Sequence, residues 1–301
     1  MPSTTLRLGT RGSLLARAQS QLIAAAAERA NPGVSVELVI IKTTGDRVQD
    51  RPLHELGGKG LFTKELELAL LSGEVDFAVH SFKDVPTTMP LVDESELVIA
   101  AVPKREDVRD LLVTRDGLSI GDLPKGSRIG TGSLRRRCQV LDRWPSLEVV
   151  PLRGNIDTRI GKVRSGEVDA VLLAAAGVRR AGLFDSATMA ILPGELMVPA
   201  PGQGALALQC RRDAAEVIER LRPLHDEPTA VCVAAEREVV ATLNGDCKSP
   251  IGAWATLSGD GITLLSVLGS ADGTPPVRRA SGSGPVGESL RLARDIAHQL
   301  T

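Results

Sequence analysis

The chain has 301 residues and a mass of 31.8 kDa, more than one ordinary core holds, so two or three domains are expected. Hydrophobic residues at 43% and charged residues at 24% exclude a disordered chain, while 2% aromatics and no Tyr leave a core of Ala, Val, Leu and Ile, suited to helices on a mostly parallel sheet. Thirty-six basic residues nearly cancel 37 acidic ones, so no global field draws the chain to nucleic acid or an anionic membrane, and anion binding falls to local clusters.

In chain order, the first half predicts strands near 5–9, 36–43, 75–80 and 97–102, with helices near 13–29 and 61–72. The second half predicts strands near 111–114, 128–131, 147–151, 168–173 and 188–192, with helices near 133–143 and 155–165. The segment 201–208, PGQGALAL, reads as a turn and a strand that returns the chain to the first half. Beyond residue 222 come a long helix over 227–243, a glycine turn at Asn244-Gly245-Asp246, strands near 253–257, 262–268 and 276–281, and a last helix near 286–299. The opening MPSTTLRLGTRGS lacks the basic-then-apolar pattern of a signal peptide, and no apolar run approaches the ~20 residues of a membrane span, so a cytoplasmic protein is expected.

Two short stretches recur. Arg7-Leu8-Gly9-Thr10 followed by Gly12-Ser13-Leu14 returns as Arg128-Ile129-Gly130-Thr131 followed by Gly132-Ser133-Leu134, and Ser-Gly-Glu-Val-Asp occurs at 72–76 and again at 165–169. Each pair marks a strand, glycine turn and helix, then the entry into an apolar strand. The order implies two similar α/β halves around a cleft, the first carrying a longer insertion, and a small C-terminal α+β domain. The boundaries expected are 1–102 with 198–220 for the first, 105–195 for the second and 223–301 for the third.

At both glycine turns, free backbone N–H groups and the helix dipole attract an anion. Ser13 and Ser133 fit equally well as plain helix N-caps with no ligand. Arg11 lies in the first turn, and Arg135 and Arg136 in the first helical turn after the second; Arg153 and Arg159 follow the next strand. The basic set is lopsided, 28 Arg to 8 Lys, and a guanidinium fork grips a carboxylate bidentately. Converging forks suit a ligand with several carboxylates, though an Arg-rich solvated surface accounts for some of them.

His80-Ser81-Phe82-Lys83-Asp84-Val85-Pro86 follows a strand, where polar groups meet ligands in open α/β sheets, and makes Asp84 the candidate acid or base. A plain ion pair with Lys83 is the competing reading. Gly57-Gly58-Lys59-Gly60 does not meet the phosphate-loop pattern. Of the four cysteines, Cys138, Cys210 and Cys232 lie in apolar surroundings, while Cys247 sits on a tight loop beside Lys248 and alone invites covalent chemistry. No spacing suggests a zinc site or a disulfide framework.

The segments LGTRGSLLARAQ (8–19), GGKGLFTKELE (57–67), VHSFKDVP (79–86), IGTGSLRRRCQ (129–139), LRGNIDTR (152–159) and PGQGAL (201–206) together resemble the porphobilinogen deaminase (hydroxymethylbilane synthase) family over nearly the whole chain. The resemblance implies two domains like periplasmic solute-binding proteins plus a third. It also implies a transferase of porphyrin biosynthesis that joins four porphobilinogen molecules head to tail with loss of ammonia and frees a linear tetrapyrrole. By that resemblance Cys247 carries a dipyrromethane cofactor through a thioether, and Asp84 handles pyrrole protons and steadies the cation left as ammonia departs. Ser81, Lys83, Thr131, Ser133, Arg135 and Arg136 would hold the cofactor, and Arg11, Arg153, Arg159 and Arg180 the acetate and propionate groups of the substrate. No metal, nucleic acid or membrane partner is implied, and a monomer is expected. Departures from the family pattern fall at Asp246 and Ser249 around the cysteine, and at Gln209, where the family commonly has Glu.

A binding module for a polycarboxylate, in which nothing reacts, is the alternative. It needs neither a loop thiol nor a carboxylate at the centre of an anion site, so Cys247 and Asp84 discriminate. A nucleic-acid binder is weakened by the balanced charge and by only six aromatic residues.

Overall fold

The computed structural model describes residues 4–43, 63–87, 96–246 and 249–301. Two compact units form, one from Met1–Arg105 with Ala205–Ala230 and one from Glu106–Gly204 with Val231–Thr301.

In the first unit, β1 (Thr4–Thr10), α1 (Leu14–Ala30), β2 (Val34–Ile40), α2 (Lys64–Leu71), β3 (Phe77–Ser81) and β4 (Leu97–Ala101) are joined by β10 (Leu206–Arg211) and α6 (Ala215–Leu221). The five strands run in the order β2-β1-β3-β10-β4. Strand β1 is parallel to β2 and β3, and β10 is antiparallel to both β3 and β4. Alternate residues of β3 face opposite ways: Phe77 and Val79 enter the core with Leu8, Ile23 and Leu221, whereas Ala78 packs with Leu66, Leu70 and Val75 of the other layer.

The second unit repeats this arrangement. Here β5 (Asp110–Thr114), β6 (Arg128–Gly130), α3 (Leu134–Arg143), β7 (Glu148–Val150), α4 (Ile156–Arg164), β8 (Ala170–Ala174), α5 (Ala175–Arg180) and β9 (Met189–Ile191) build a sheet of order β7-β6-β8-β5-β9. Position for position this is the first sheet, with β6 parallel to β7 and β8, and β5 antiparallel to β8 and β9. Both sheets are therefore mixed rather than mostly parallel, because one strand in each enters reversed: β10, which returns from a distant part of the chain, and β5, which opens the second unit. Leu111, Val113, Val171 and Leu173 pack on one face and Leu112, Ala170 and Leu172 on the other.

The recurring Ser-Gly-Glu-Val-Asp does the same job twice. Its aspartate accepts a hydrogen bond from the backbone N–H of the strand arginine, Asp76 Oδ2 from Arg7 and Asp169 Oδ2 from Arg128, both at 2.7 Å, and returns its own N–H to that arginine's carbonyl. The carboxylate thus sets the register between neighbouring parallel strands.

The second unit also contains α7 (Glu227–Thr242) from Val231 onward, an antiparallel meander of β11 (Ile251–Ser258), β12 (Gly261–Leu268) and β13 (Arg278–Pro285), and α8 (Ser289–Leu300). Val239, Ile251, Leu264, Ile296 and Leu300 form its core. Helices α5 and α6 are absent from the expected elements. At six and seven residues they are too short to show a helical period, and α5 continues directly from the apolar run of β8.

Chain passage at Gly204 gives a test of packing. Its φ is +85° and a Cβ there would strike the Glu106 carbonyl oxygen, whereas Gly126, with φ +81°, has nothing within 4 Å. Gly126→Ala should cost about 1 kcal/mol from backbone strain alone, and Gly204→Ala about 2 kcal/mol or more beyond it, by urea unfolding. Equal losses would contradict the steric account.

Candidate active site

In the first unit, Ser13 caps α1 by accepting the Ala16 N–H at 3.3 Å, and Thr10 binds Ser20 Oγ at 2.7 Å and the Ala16 carbonyl at 3.2 Å. One turn along α1, Gln19 Nε2 donates to Ser81 Oγ at 3.1 Å, which brings the helix start beside the exit of β3. There the backbone enters a short 3-10 turn, Phe82–Asp84, anchored by the Phe82 N–H on the Ala205 carbonyl. Phe82 is buried beneath the turn, so Asp84 is left exposed on the outside. Asp84 makes no ion pair or hydrogen bond among the described residues, so the pair with Lys83 does not form.

Beneath this turn lies His80, fully buried, with Nε2 2.9 Å from Gln209 Oε1. Gln209 Nε2 donates to buried Glu67 at 3.4 Å, which leaves its oxygen for His80 and places the imidazole proton on Nε2. Burial, assisted by the nearby positive charge of Arg11 and opposed by the Gln209 bond, lowers the His80 pKa to about 4. His80 is neutral at physiological pH and is a support for the turn rather than an acid.

In the second unit the glycine turn after β6 is pressed against the turn after β7. A Cβ on Gly130 would sit 2.7 Å from Leu152 Cδ2, and one on Gly132 3.2 Å from the Leu152 carbonyl, so the bare glycines let the chain at Leu152 pack closely against the glycine turn. Thr131 Oγ1 accepts the Ser133 N–H at 3.2 Å, and Ser133 caps α3 through the Arg136 N–H at 3.4 Å. Each hydroxyl still has its own proton to donate. Arg153 Nη1 is buried with no hydrogen-bond partner, and Arg159 Nε donates to the Gly154 carbonyl at 2.7 Å.

Arg135 and Arg136 converge on one buried carboxylate. Asp110 receives Arg135 Nη1 at 2.8 Å and Arg136 Nη2 at 2.7 Å. Burial alone would raise the Asp110 pKa, but the two guanidinium charges and their hydrogen bonds outweigh it and hold it far below the usual carboxylate range. Burial also lowers the Arg135 pKa, with Asp110 opposing and Arg136 adding to the effect. On α5, Arg180 Nη2 donates to the Gly204 carbonyl at 2.7 Å, and burial lowers its pKa despite Glu106.

Cys247 and Lys248, like Gly57-Gly58-Lys59-Gly60, lie outside the described residues. Cys138, Cys210 and Cys232 are buried, and burial raises the Cys138 and Cys210 thiols to about 11, so neither is a nucleophile near neutrality. Flanking the cysteine loop, Asp246 and Ser249 bind each other: Ser249 Oγ accepts the Asp246 N–H and donates to Asp246 Oδ1, both at 2.9 Å. The two departures from the family pattern are a matched pair. Asp110, Gln203 and Gln19 escape sequence reasoning, since their partners lie far away in the chain; only the acidic residue opening an apolar strand hinted at Asp110.

Sequence models of two domains match the chain: the dipyromethane cofactor binding domain of porphobilinogen deaminase over residues 6–219, and the C-terminal domain of porphobilinogen deaminase over residues 230–301. The chain belongs to the porphobilinogen deaminase family. It is 47% identical over 300 residues to the porphobilinogen deaminase of Syntrophobacter fumaroxidans, covering 100% of this chain and 95% of that one. The porphobilinogen deaminases of Sorangium cellulosum and a Roseiflexus species are 45% and 42% identical, covering 98% and 96% of those chains and 99% and 98% of this one. Among solved structures, the methionine binding protein MetQ superposes with a TM-score of 0.47 at 13% identity, over 77% of this chain and 94% of that one. Membership makes the chain a transferase of tetrapyrrole biosynthesis with a dipyrromethane cofactor. Among the described residues, no helix is long and apolar enough to cross a membrane.

The residues present fit that cofactor. A dipyrromethane is a polycarboxylate, and the buried Nε of Arg136 and Nη1 of Arg153, both without hydrogen-bond partners, are cationic donors that a carboxylate satisfies.

His80 sets an acid limit on stability. Folded His80 stays neutral down to about pH 4, whereas the unfolded imidazole protonates near 6.5, so the unfolded state binds the extra proton in that window and stability falls as pH drops through it. The loss is about 3 kcal/mol for this group alone. Urea unfolding at pH 7 and pH 4.5 should show a larger drop for the parent than for His80→Gln; equal drops would remove His80 as the cause.

Proposed function

We propose that the chain is a porphobilinogen deaminase in activity: it condenses four porphobilinogen molecules head to tail, releases one ammonia at each step and yields the linear tetrapyrrole hydroxymethylbilane. It works as a cytoplasmic monomer, with domains at 1–102 plus 198–220, at 105–195 and at 223–301. The observation that carries this reading is the exposed Asp84 carboxylate at the end of β3, without an ion-pair partner among the described residues, in a chain of this family.

When bound, the dipyrromethane, held as a thioether by Cys247, supplies the primer for the growing chain. Asp84 stabilises the positive charge that develops on a substrate as ammonia leaves, and accepts and returns pyrrole N–H protons. A carboxylate does both, since charge held in place next to a developing cation lowers the barrier without reorganising. Its exposed position on a turn anchored by the Phe82 N–H and braced by Gln19 on Ser81 supports that role. Ser81 and Lys83 beside it, and Thr131, Ser133, Arg135 and Arg136, hold cofactor carboxylates. Arg11, Arg153, Arg159 and Arg180 take the acetate and propionate groups of substrate. Arg forks serve here better than Lys because they match a carboxylate bidentately.

Asp84→Asn keeps size and hydrogen bonding but removes the charge. Single-turnover condensation on protein whose cofactor loading is confirmed by mass should fall by a factor on the order of a hundred or more, with substrate affinity largely retained. A parental rate would return Asp84 to the protein surface and favour the binding-module alternative. Cys247→Ser should show, by intact mass, no covalent adduct. An adduct mapped to Cys138, Cys210 or Cys232 would move the attachment elsewhere.

A further inference from the structure

Asp110 opens β5 and is fully buried. Its two oxygens receive three side-chain donors: Arg135 Nη1 at 2.8 Å on Oδ2, and Arg136 Nη2 at 2.7 Å and Gln203 Nε2 at 2.8 Å on Oδ1. The outer side of each donor group is also fixed, since Arg135 Nη1 reaches the Val198 carbonyl at 2.7 Å, Arg136 Nη1 the Leu172 carbonyl at 2.9 Å and Gln203 Nε2 the Val108 carbonyl at 2.7 Å. Arg135 and Arg136 are only 4% and 6% exposed.

Two guanidiniums and one carboxylate leave this buried cluster one positive charge in excess. It also keeps a buried Arg136 Nε–H with no hydrogen-bond partner. A buried unsatisfied donor and an uncompensated charge are each costly, and a single incoming carboxylate removes both costs. We infer that Asp110 is a positioning residue for carboxylate recognition, an internal counter-ion that clamps Arg135 and Arg136 side by side and leaves the pair one charge short, so that the cluster accepts one carboxylate of a pyrrole ligand. The inference rests on the reading that these two arginines bind carboxylates; it adds the residue that orients them and the number of carboxylates they take.

Neutralising Asp110 has two separable effects. The forks lose their common anchor, so a carboxylate meets disordered donors. The cluster also gains a second excess positive charge, which attracts small anions without regard to geometry. A residue that merely filled space would produce neither signature.

The experiment uses Asp110→Asn and Asp110→Glu in the full-length apo-protein, with cofactor loading followed by intact mass. The deciding readout is the rate at which apo-protein gains the adduct mass on incubation with porphobilinogen, since Arg135 and Arg136 are placed on cofactor carboxylates. Asp110→Asn should load tenfold or more slowly than the parent, and KCl should slow its loading more steeply. Asp110→Glu restores the charge and should fall between Asn and parent in loading rate and salt response. Parental loading and salt response in Asp110→Asn overturn the inference, as does an Asp110→Glu protein that loads more slowly than Asp110→Asn, because shape rather than charge would then decide. Should Asp110→Asn fail to fold, Asp110→Glu decides alone: slowed loading sustains the inference and parental loading ends it. Arg135→Gln and Arg136→Gln run alongside. If neither changes loading, the carboxylate role of the arginines fails; if both do while Asp110→Asn does not, only the role of Asp110 fails.

Discussion

A single buried carboxylate organises the second unit. Asp110 cannot stay ionised in the interior without partners, and the partners it draws come from two separate parts of the chain: Arg135 and Arg136 on α3, and Gln203 near the end of the segment that leads out of the unit. Satisfying one charge therefore fixes a strand, a helix and a chain crossing together. The carbonyls of Leu172 and Val198 complete the shell, so the guanidinium orientations are set by the fold.

Duplication supplies the frame on which this is mounted. The two five-stranded sheets share one strand order, and in each the same aspartate of the repeated Ser-Gly-Glu-Val-Asp grips the backbone N–H of the equivalent arginine, Arg7 on β1 or Arg128 on β6. The halves then diverge in what they present. The turn after β3 carries an exposed carboxylate at Asp84, whereas α3 of the second unit carries the buried Arg135 and Arg136. His80 stays neutral, since burial opposes its charged form and a proton on the imidazole would add positive charge near Arg11.

Around the cysteine loop, Asp246 and Ser249 compensate one another. Read singly, each is an unusual neighbour for the thiol; together they form two hydrogen bonds that tie the residues before and after it. Gln209 is a similar case. As an amide it accepts from His80 and donates to Glu67 at once, and a second carboxylate in its place would face Glu67 in the interior.

Local signals in the sequence determined a good deal: the strand, glycine turn and helix of each half, the duplication, the return of PGQGAL to the first sheet, the burial of Cys138, Cys210 and Cys232, and the motifs that resemble the family. Such features repeat within a few residues, and steric preference and hydrophobic period write them directly into neighbouring side chains. Tertiary structure alone decided that β5 and β10 enter their sheets reversed, that Ser13 and Ser133 act as caps, that Asp84 stands apart from Lys83, and that Asp110 joins Arg135, Arg136 and Gln203. His80 and Gln209 are 129 residues apart, and Asp110 and Gln203 are 93 apart. No local pattern carries such a pairing, because a buried polar group takes whichever partner the folded backbone brings within hydrogen-bond reach.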